Sequence, residues 1–287
     1  MFRSPLALLL LTIAVPVQAQ RSFTETLPQA SAPMLIARYG ADPLQRGELR
    51  LPSGKGPFPV AVLIHGGCWD ATRGDLRDTG PLAEALAARG IATWNIEYRR
   101  SGNPGGGWPG TFDDIAAAID HLAVLARSRP LDLAHVAVVG HDAGVPLALW
   151  AAARPTSKDA VADTIAVKPV TAVAIDGPGI VMPFTVAGAQ GCDESAVTRF
   201  LGGTPAEKPA AHALASPQAH LPLGVHQLIV VGALGEQMAP YVQAALASGD
   251  TLVKLAPGGG DHRNVIMPGT PQGKQVADFI AAQAFDD

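Results

Sequence analysis

The sequence carries little charge: 16% of its 287 residues are Asp, Glu, Lys or Arg, and the net charge is −4. No cluster of Lys or Arg supplies the electrostatic footprint that nucleic acid requires, so a nucleic-acid partner is excluded. After the first residues no apolar run approaches the roughly 20 residues that a bilayer demands, so no membrane span is expected. Cysteine is scarce, with two in the chain. The cysteines and histidines show no ligand spacing, so neither a metal nor a cofactor is expected. No internal repeat is apparent. What is abundant is Ala, Gly, Pro and Val, a globular profile and not a disordered one. The length suits a single large domain that can bury a full core.

The first residues read as an address. Arg3 supplies a positive charge, residues 6–15 are apolar, Pro16 ends the run, and Val17 and Ala19 suit a signal peptidase. A secretory signal peptide over 1–19, cut after Ala19, is expected, with a periplasmic or secreted mature chain over 20–287. An oxidising compartment permits a disulfide between Cys68 and Cys192, with two separate buried thiols as the alternative. If formed, the bond ties the loop after the third strand to the segment before Phe200.

Five short β-branched runs, 60–64, 91–96, 136–139, 170–175 and 228–231, are each followed by Gly, His, Asp or Glu. Continuous apolar runs of this length suit strands buried on both faces of a parallel sheet. Alanine-rich stretches with helical spacing lie between them. Ile115, Ile119, Leu122 and Ala126 fall on one face, with Thr111 and Asp114 reading as the helix start. Residues 81–89, 145–153, 237–247 and 274–284 also read as helices. The alternation predicts right-handed crossovers in a mostly parallel sheet. Residues 35–39 and 47–51 predict an antiparallel pair at its edge, and 252–255 a last strand, eight in all. Residues 180–221 break the rhythm and read as a short insertion over the carboxyl ends of the strands, with a helix at 195–201.

Three pieces at strand ends carry chemistry. In His65-Gly66-Gly67-Cys68-Trp69, adjacent glycines allow a sharp turn whose N–H groups can hold a developing oxyanion. Gly140-His141-Asp142-Ala143-Gly144 has the frame of a nucleophile elbow, with Asp142 where that motif has serine. His262, after the last strand, stands where the base of such a triad belongs. These pieces nominate Asp142 for the nucleophile position and His262 as base. Gly67, Cys68 and Ala143 become oxyanion donors, and Trp69 and His141 contact a small-molecule substrate. The oligomeric state stays open.

From Tyr39 onward the chain resembles bacterial α/β-hydrolase esterases of the hormone-sensitive-lipase-like and kynurenine-formamidase-like groups. The matching residues are His65-Gly66-Gly67-Cys68-Trp69, Asn95-Ile96-Glu97-Tyr98-Arg99-Arg100, Gly107-Trp108-Pro109, Gly140-His141 with Ala143-Gly144, Leu147-Ala148-Leu149-Trp150, and His262 with Val265-Ile266 and Pro268. The resemblance implies the α/β-hydrolase fold, with helices on both faces of the sheet, and an esterase ancestry.

The chain also departs from that pattern. The relatives carry serine at Asp142 and usually an aspartate near Gly235, after the seventh strand. Glu236, one residue on, and Asp176, after the sixth strand, are the two candidate acids. Three readings follow. Asp142 attacks a saturated carbon, as in the epoxide hydrolases and dehalogenases of this fold, although 180–221 holds no tyrosine and Ala143 stands where dehalogenases place tryptophan. Or the chain hydrolyses esters or amides slowly without a serine. Or it is an inactive relative that binds a small ligand or a partner, with Asp142 as a helix cap.

Overall fold

A computed structural model describes residues 29–155, 165–183 and 191–285. The expected leader, 1–19, lies outside them. The described chain forms one eight-stranded sheet: β1 (Leu35–Arg38), β2 (Arg46–Arg50), β3 (Phe58–Ile64), β4 (Ala92–Ile96), β5 (Leu131–His141), β6 (Thr171–Ile175), β7 (His226–Val230) and β8 (Leu252–Leu255). Its spatial order is β1-β2-β4-β3-β5-β6-β7-β8. Only the β1–β2 and β2–β4 pairings are antiparallel. From β4 to β8 the strands run parallel, so their carboxyl ends share one edge.

The β-branched runs are central strands because both faces are covered. In β3, Val60, Val62 and Ile64 enter the core on one side, while Ala61 and Leu63 enter the core on the other. The first core is filled from α2 (Gly110–Asp120) and α4 (Gly144–Ala153), the second from α1 (Gly80–Ala87) and α8 (Pro271–Gln283). The remaining helices are α3 (Leu122–Leu125), α5 (Glu194–Leu201), α6 (Pro209–Ala215) and α7 (Gly235–Ala247). No helix among the described residues is long and apolar enough to cross a membrane.

Two expectations shift. The β5 strand is longer than its apolar run. Gly140 still pairs with Ile64 of β3 and Ala174 of β6, and His141 with Ile175 of β6, which carries the strand up to the elbow. Thr111 and Asp114 do not cap α2, which begins at Gly110. The Thr111 hydroxyl instead donates to Arg99 O and accepts from Gly107 N, and the Asp114 carboxylate holds the Arg99 guanidinium. Both side chains pin the loop between β4 and α2.

The described residues of the expected insertion 180–221 carry α5 and α6. Helix α5 starts at the cap Asp193, whose Oδ1 accepts from Ala196 N at 2.8 Å, and stops at Gly202 with φ 78°. It lies against the loop after β3: Phe200 stacks on Trp69, and Cys192 is disulfide-bonded to Cys68.

Candidate active site

The carboxyl ends of β3, β5 and β6 bring the chemistry together. At the end of β5 the chain turns through Asp142, whose φ is 55°, into α4. Aspartate accepts that left-handed backbone better than most residues. The flanking glycines are required by contact. A Cβ on Gly140 would collide with Gly144 O, and one on Gly144 with Ile64 O. The turn thrusts the Asp142 side chain toward the loop after β3, where a Cβ on Gly66 would collide with the carboxylate. Gly67 N donates to Asp142 Oδ2 at 2.8 Å. Ala143 sits next to Asp142 at the start of α4, and Cys68 is held in its disulfide.

His262 lies between two carboxylates. Its Nδ1 is 2.8 Å from Asp176 Oδ2, and its Nε2 is 3.5 Å from Asp142 Oδ1. Asp176, just beyond β6, is fixed in turn by Gly232 N and Leu234 N, both donating to its Oδ1 at 2.8 Å. Of the two candidate acids, the structure therefore brings Asp176 to the histidine. Glu236 is exposed in the first turn of α7, and the Nδ1 it would have held is already taken.

His141 is buried beside this trio. Its ring centroid is 4.8 Å from that of His262, and its Nε2 is 2.9 Å from His262 O. Trp69 is different from the expectation. It is wholly buried and stacked on Phe200 at 5.0 Å, so it is a packing residue between the loop and α5 and not a surface offered to substrate.

A buried layer beneath the glycine loop gave no role-bearing signal beyond the quoted motif Glu97-Tyr98-Arg99-Arg100. Glu97 Oε1 contacts His65 Nε2 at 3.1 Å and Arg100 Nη2 at 3.0 Å, while Tyr98 OH donates to His65 O at 2.7 Å. These groups support the loop from below, so their place in the site depends on tertiary contact between β3 and β4.

The charges follow from this geometry. Burial lowers the pKa of His262, but hydrogen bonds and attraction from Asp142 and Asp176 outweigh it and push the value up to about 9. His141 moves the other way: burial, then repulsion by His262, brings it down to about 4. Burial raises the Asp142 and Asp176 carboxyls, yet hydrogen bonding to His262 and to backbone N–H groups holds both below the usual range. At neutral pH the resting site is carboxylate, imidazolium, carboxylate, with His141 neutral.

The sign of the linkage is therefore fixed. A histidine whose pKa rises on folding stabilises the fold fully below its ordinary value of 6.5 and loses that contribution as pH rises through about 9. In Asp142→Asn one of the two carboxylates is gone, and the His262 titration followed by NMR is expected to drop from about 9 toward 6.5. An unchanged titration would mean that Asp142 does not hold the proton. Among the described residues no group of three His, Cys, Asp or Glu side chains could hold a metal.

Residues 48–248 match the BD-FAE family. No curated protein matches the sequence. Solved structures share the fold. A truncated form of a carbohydrate esterase from gut microbiota is 20% identical over 89% of this chain and 97% of its own, with a TM-score of 0.72. Esterase B from Lactobacillus rhamnosis is 19% identical over 88% of this chain and 89% of its own, with a TM-score of 0.70. A bacterial heroin esterase is 19% identical over 88% and 84%, with a TM-score of 0.68.

Proposed function

Since the chain belongs to the BD-FAE family, we propose that it is a hydrolase of small organic substrates, of esterase ancestry, that works through the carboxylate of Asp142. The observation that carries this reading is the hydrogen bond from Gly67 N to Asp142 Oδ2 at 2.8 Å. In acyl transfer by a serine, that donor receives the substrate's oxyanion. Here Asp142 itself occupies it. An acyl ester would have to displace the carboxylate before its own carbonyl could be stabilised.

Attack at a saturated carbon makes no such demand. A carboxylate is ionised at neutral pH and needs no base to attack. Asp142 Oδ1 faces His262 at 3.5 Å, longer than a good hydrogen bond, so it is the oxygen freer to attack. It bonds to the carbon of an epoxide or haloalkane, the bond to the leaving oxygen or halide breaks, and an alkyl ester of Asp142 forms. That ester is neutral. His262 then loses one of the two charges that hold its proton and its pKa falls; the proton passes to the alkoxide of the opened epoxide, or to solvent when a halide has left, and the neutral ring becomes a base. Water attacks Asp142 Cγ and gives its proton to His262 Nε2. The oxyanion that develops is Oδ2, already under Gly67 N–H. Collapse breaks the bond to the alkyl oxygen, which takes the proton of His262 and leaves as the alcohol, and the new carboxyl group passes its own proton to His262, restoring carboxylate and imidazolium.

In this reading Asp176 orients His262 and balances its charge, and Glu236 has no part. Asp176→Asn is expected to slow turnover by roughly 10²–10⁴-fold, the usual worth of a positioned base. Glu236→Gln is expected to leave it unchanged. Steady-state rates of the two variants on short epoxides and haloalkanes check this, and the reverse pattern would move the acid to α7. Action outside the cytoplasm is part of the proposal; the Cys68–Cys192 disulfide and the leader-like sequence of residues 1–19 support it.

One observation favours a second reading. Both Asp142 oxygens already have partners within the protein, Gly67 N and His262 Nε2. Such a closed network also suits a relative that only binds a ligand or a partner. In that case the whole panel of p-nitrophenyl esters, epoxides and haloalkanes would be left untouched.

A further inference from the structure

We propose that Cys192 and the helix α5 behind it are positioning elements of this site: they hold the loop after β3 so that Gly67 N–H points at Asp142, and reduction of the Cys68–Cys192 disulfide releases that donor. The proposal rests on reading the Gly67–Asp142 contact as part of the working machinery.

The loop is built from backbone that L-residues disfavour. Gly67 has φ 100°, and the two residues after it, Cys68 and Trp69, have φ 54° and 55°. Consecutive left-handed non-glycine residues persist only where their surroundings over-determine them. Here each is fastened to the same neighbour. Cys68 is bonded to Cys192, one residue before the cap of α5. Trp69 is stacked on Phe200 of α5 at 5.0 Å with an angle of 11° between the planes, and both rings are fully buried.

The tie is reinforced on either side. Arg199 Nη2 meets Asp70 Oδ2 at 3.1 Å, Arg73 Nη1 donates to Gly191 O at 3.3 Å, and Trp108 N donates to Phe200 O at 2.7 Å. From the β4 side the loop is held at Trp69 O by Ser101 N, at 2.9 Å. Cys68, the residue bonded directly to Gly67 along the chain, has α5 as its covalent anchor. Helix α5 therefore acts as a brace on the donor. Attack by a dithiol reductant converts the disulfide to two thiols and the reductant to its cyclic disulfide. It removes the covalent strut while leaving the sheet and the Asp142–His262–Asp176 trio in place.

The test compares the full chain oxidised and reduced with dithiothreitol, alongside Cys192→Ala. Hydrogen exchange at the Gly67 amide is read by NMR, and kcat and KM are measured on the same samples. Breaking the brace is expected to speed Gly67 exchange by about tenfold or more, the scale of losing a hydrogen bond to a charged group. It should also lower kcat while KM stays near its starting value. Gly67 exchange that is identical in the oxidised and fully reduced chains would overturn the proposal.

If the reduced chain or Cys192→Ala does not stay folded, Phe200→Leu decides. It keeps the disulfide and opens the stack on Trp69. Faster exchange at Gly67 in that variant supports the brace, and unchanged exchange overturns it. Exchange at Gly67 that responds to reduction in a chain with no turnover at all would support the brace and overturn the hydrolytic reading, so the two can fail separately.

Discussion

Asp142→Ala is expected to lower kcat for alkyl electrophiles by about 10⁶-fold, the scale seen when the nucleophile of a coupled catalytic unit is removed. Two losses combine. The oxygen that would bond to the substrate carbon disappears, and so does one of the two carboxylates that set the charge of His262. The Asp176–His262 pair and the Gly67 donor remain, but they have no intermediate to act on. The fold should survive, because the elbow rests on the close approach of Gly140 and Gly144 to their neighbours and on Asp142 backbone bonds, which alanine keeps. Steady-state rates on small epoxides and haloalkanes, with circular dichroism as a control for folding, check the expectation. Turnover equal to that of the unmodified chain would remove Asp142 from the chemistry.

Asp142→Ser should change the kind of substrate the site accepts. Serine at the elbow leaves the Gly67 N–H open to a substrate carbonyl, since the carboxylate that accepts from it is gone. It also leaves His262 with Asp176 as its one carboxylate partner of the present two, so the ring pKa falls and the neutral base is available near pH 7. The trio becomes serine, aspartate and histidine, in the chain order of the α/β-hydrolases. Short p-nitrophenyl esters are expected to react about 10³-fold faster than with the unmodified chain, a part of the roughly 10⁶ that a complete triad supplies. Alkyl electrophiles should cease to react, because a serine ether, unlike an aspartyl ester, offers no carbonyl for water to attack. A folded serine variant that is inert toward esters would show that the carboxylate in the hole is not what excludes acyl substrates.

Much of this arrangement is legible in the sequence. The β-branched runs name the central strands because both faces of a parallel sheet are apolar. Gly140 and Gly144 frame the elbow because helix and strand touch there, so the place of Asp142 can be read without coordinates. What is not legible depends on contacts between distant segments. The choice between Asp176 and Glu236 turns on the backbone after β7, where Gly232 N and Leu234 N converge on Asp176 and leave Glu236 on the surface. Trp69 reads as a site aromatic until Phe200 is seen to cover it. Thr111 and Asp114 have the spacing of a helix start, but Gly107 and Arg99 claim both side chains first. Glu97 and Arg100 belong to the support of the glycine loop only because β4 lies beside β3.

The central claim is that an oxygen of Asp142, and not of water, first bonds to the substrate carbon. A single turnover in water enriched in the heavy oxygen isotope, with protein in excess over a small epoxide or haloalkane, tests it directly. The account predicts that the first alcohol released carries light oxygen, and that the heavy oxygen appears in the peptide containing Asp142. An alcohol carrying heavy oxygen in that first turnover, with the Asp142 peptide unlabelled, would contradict it.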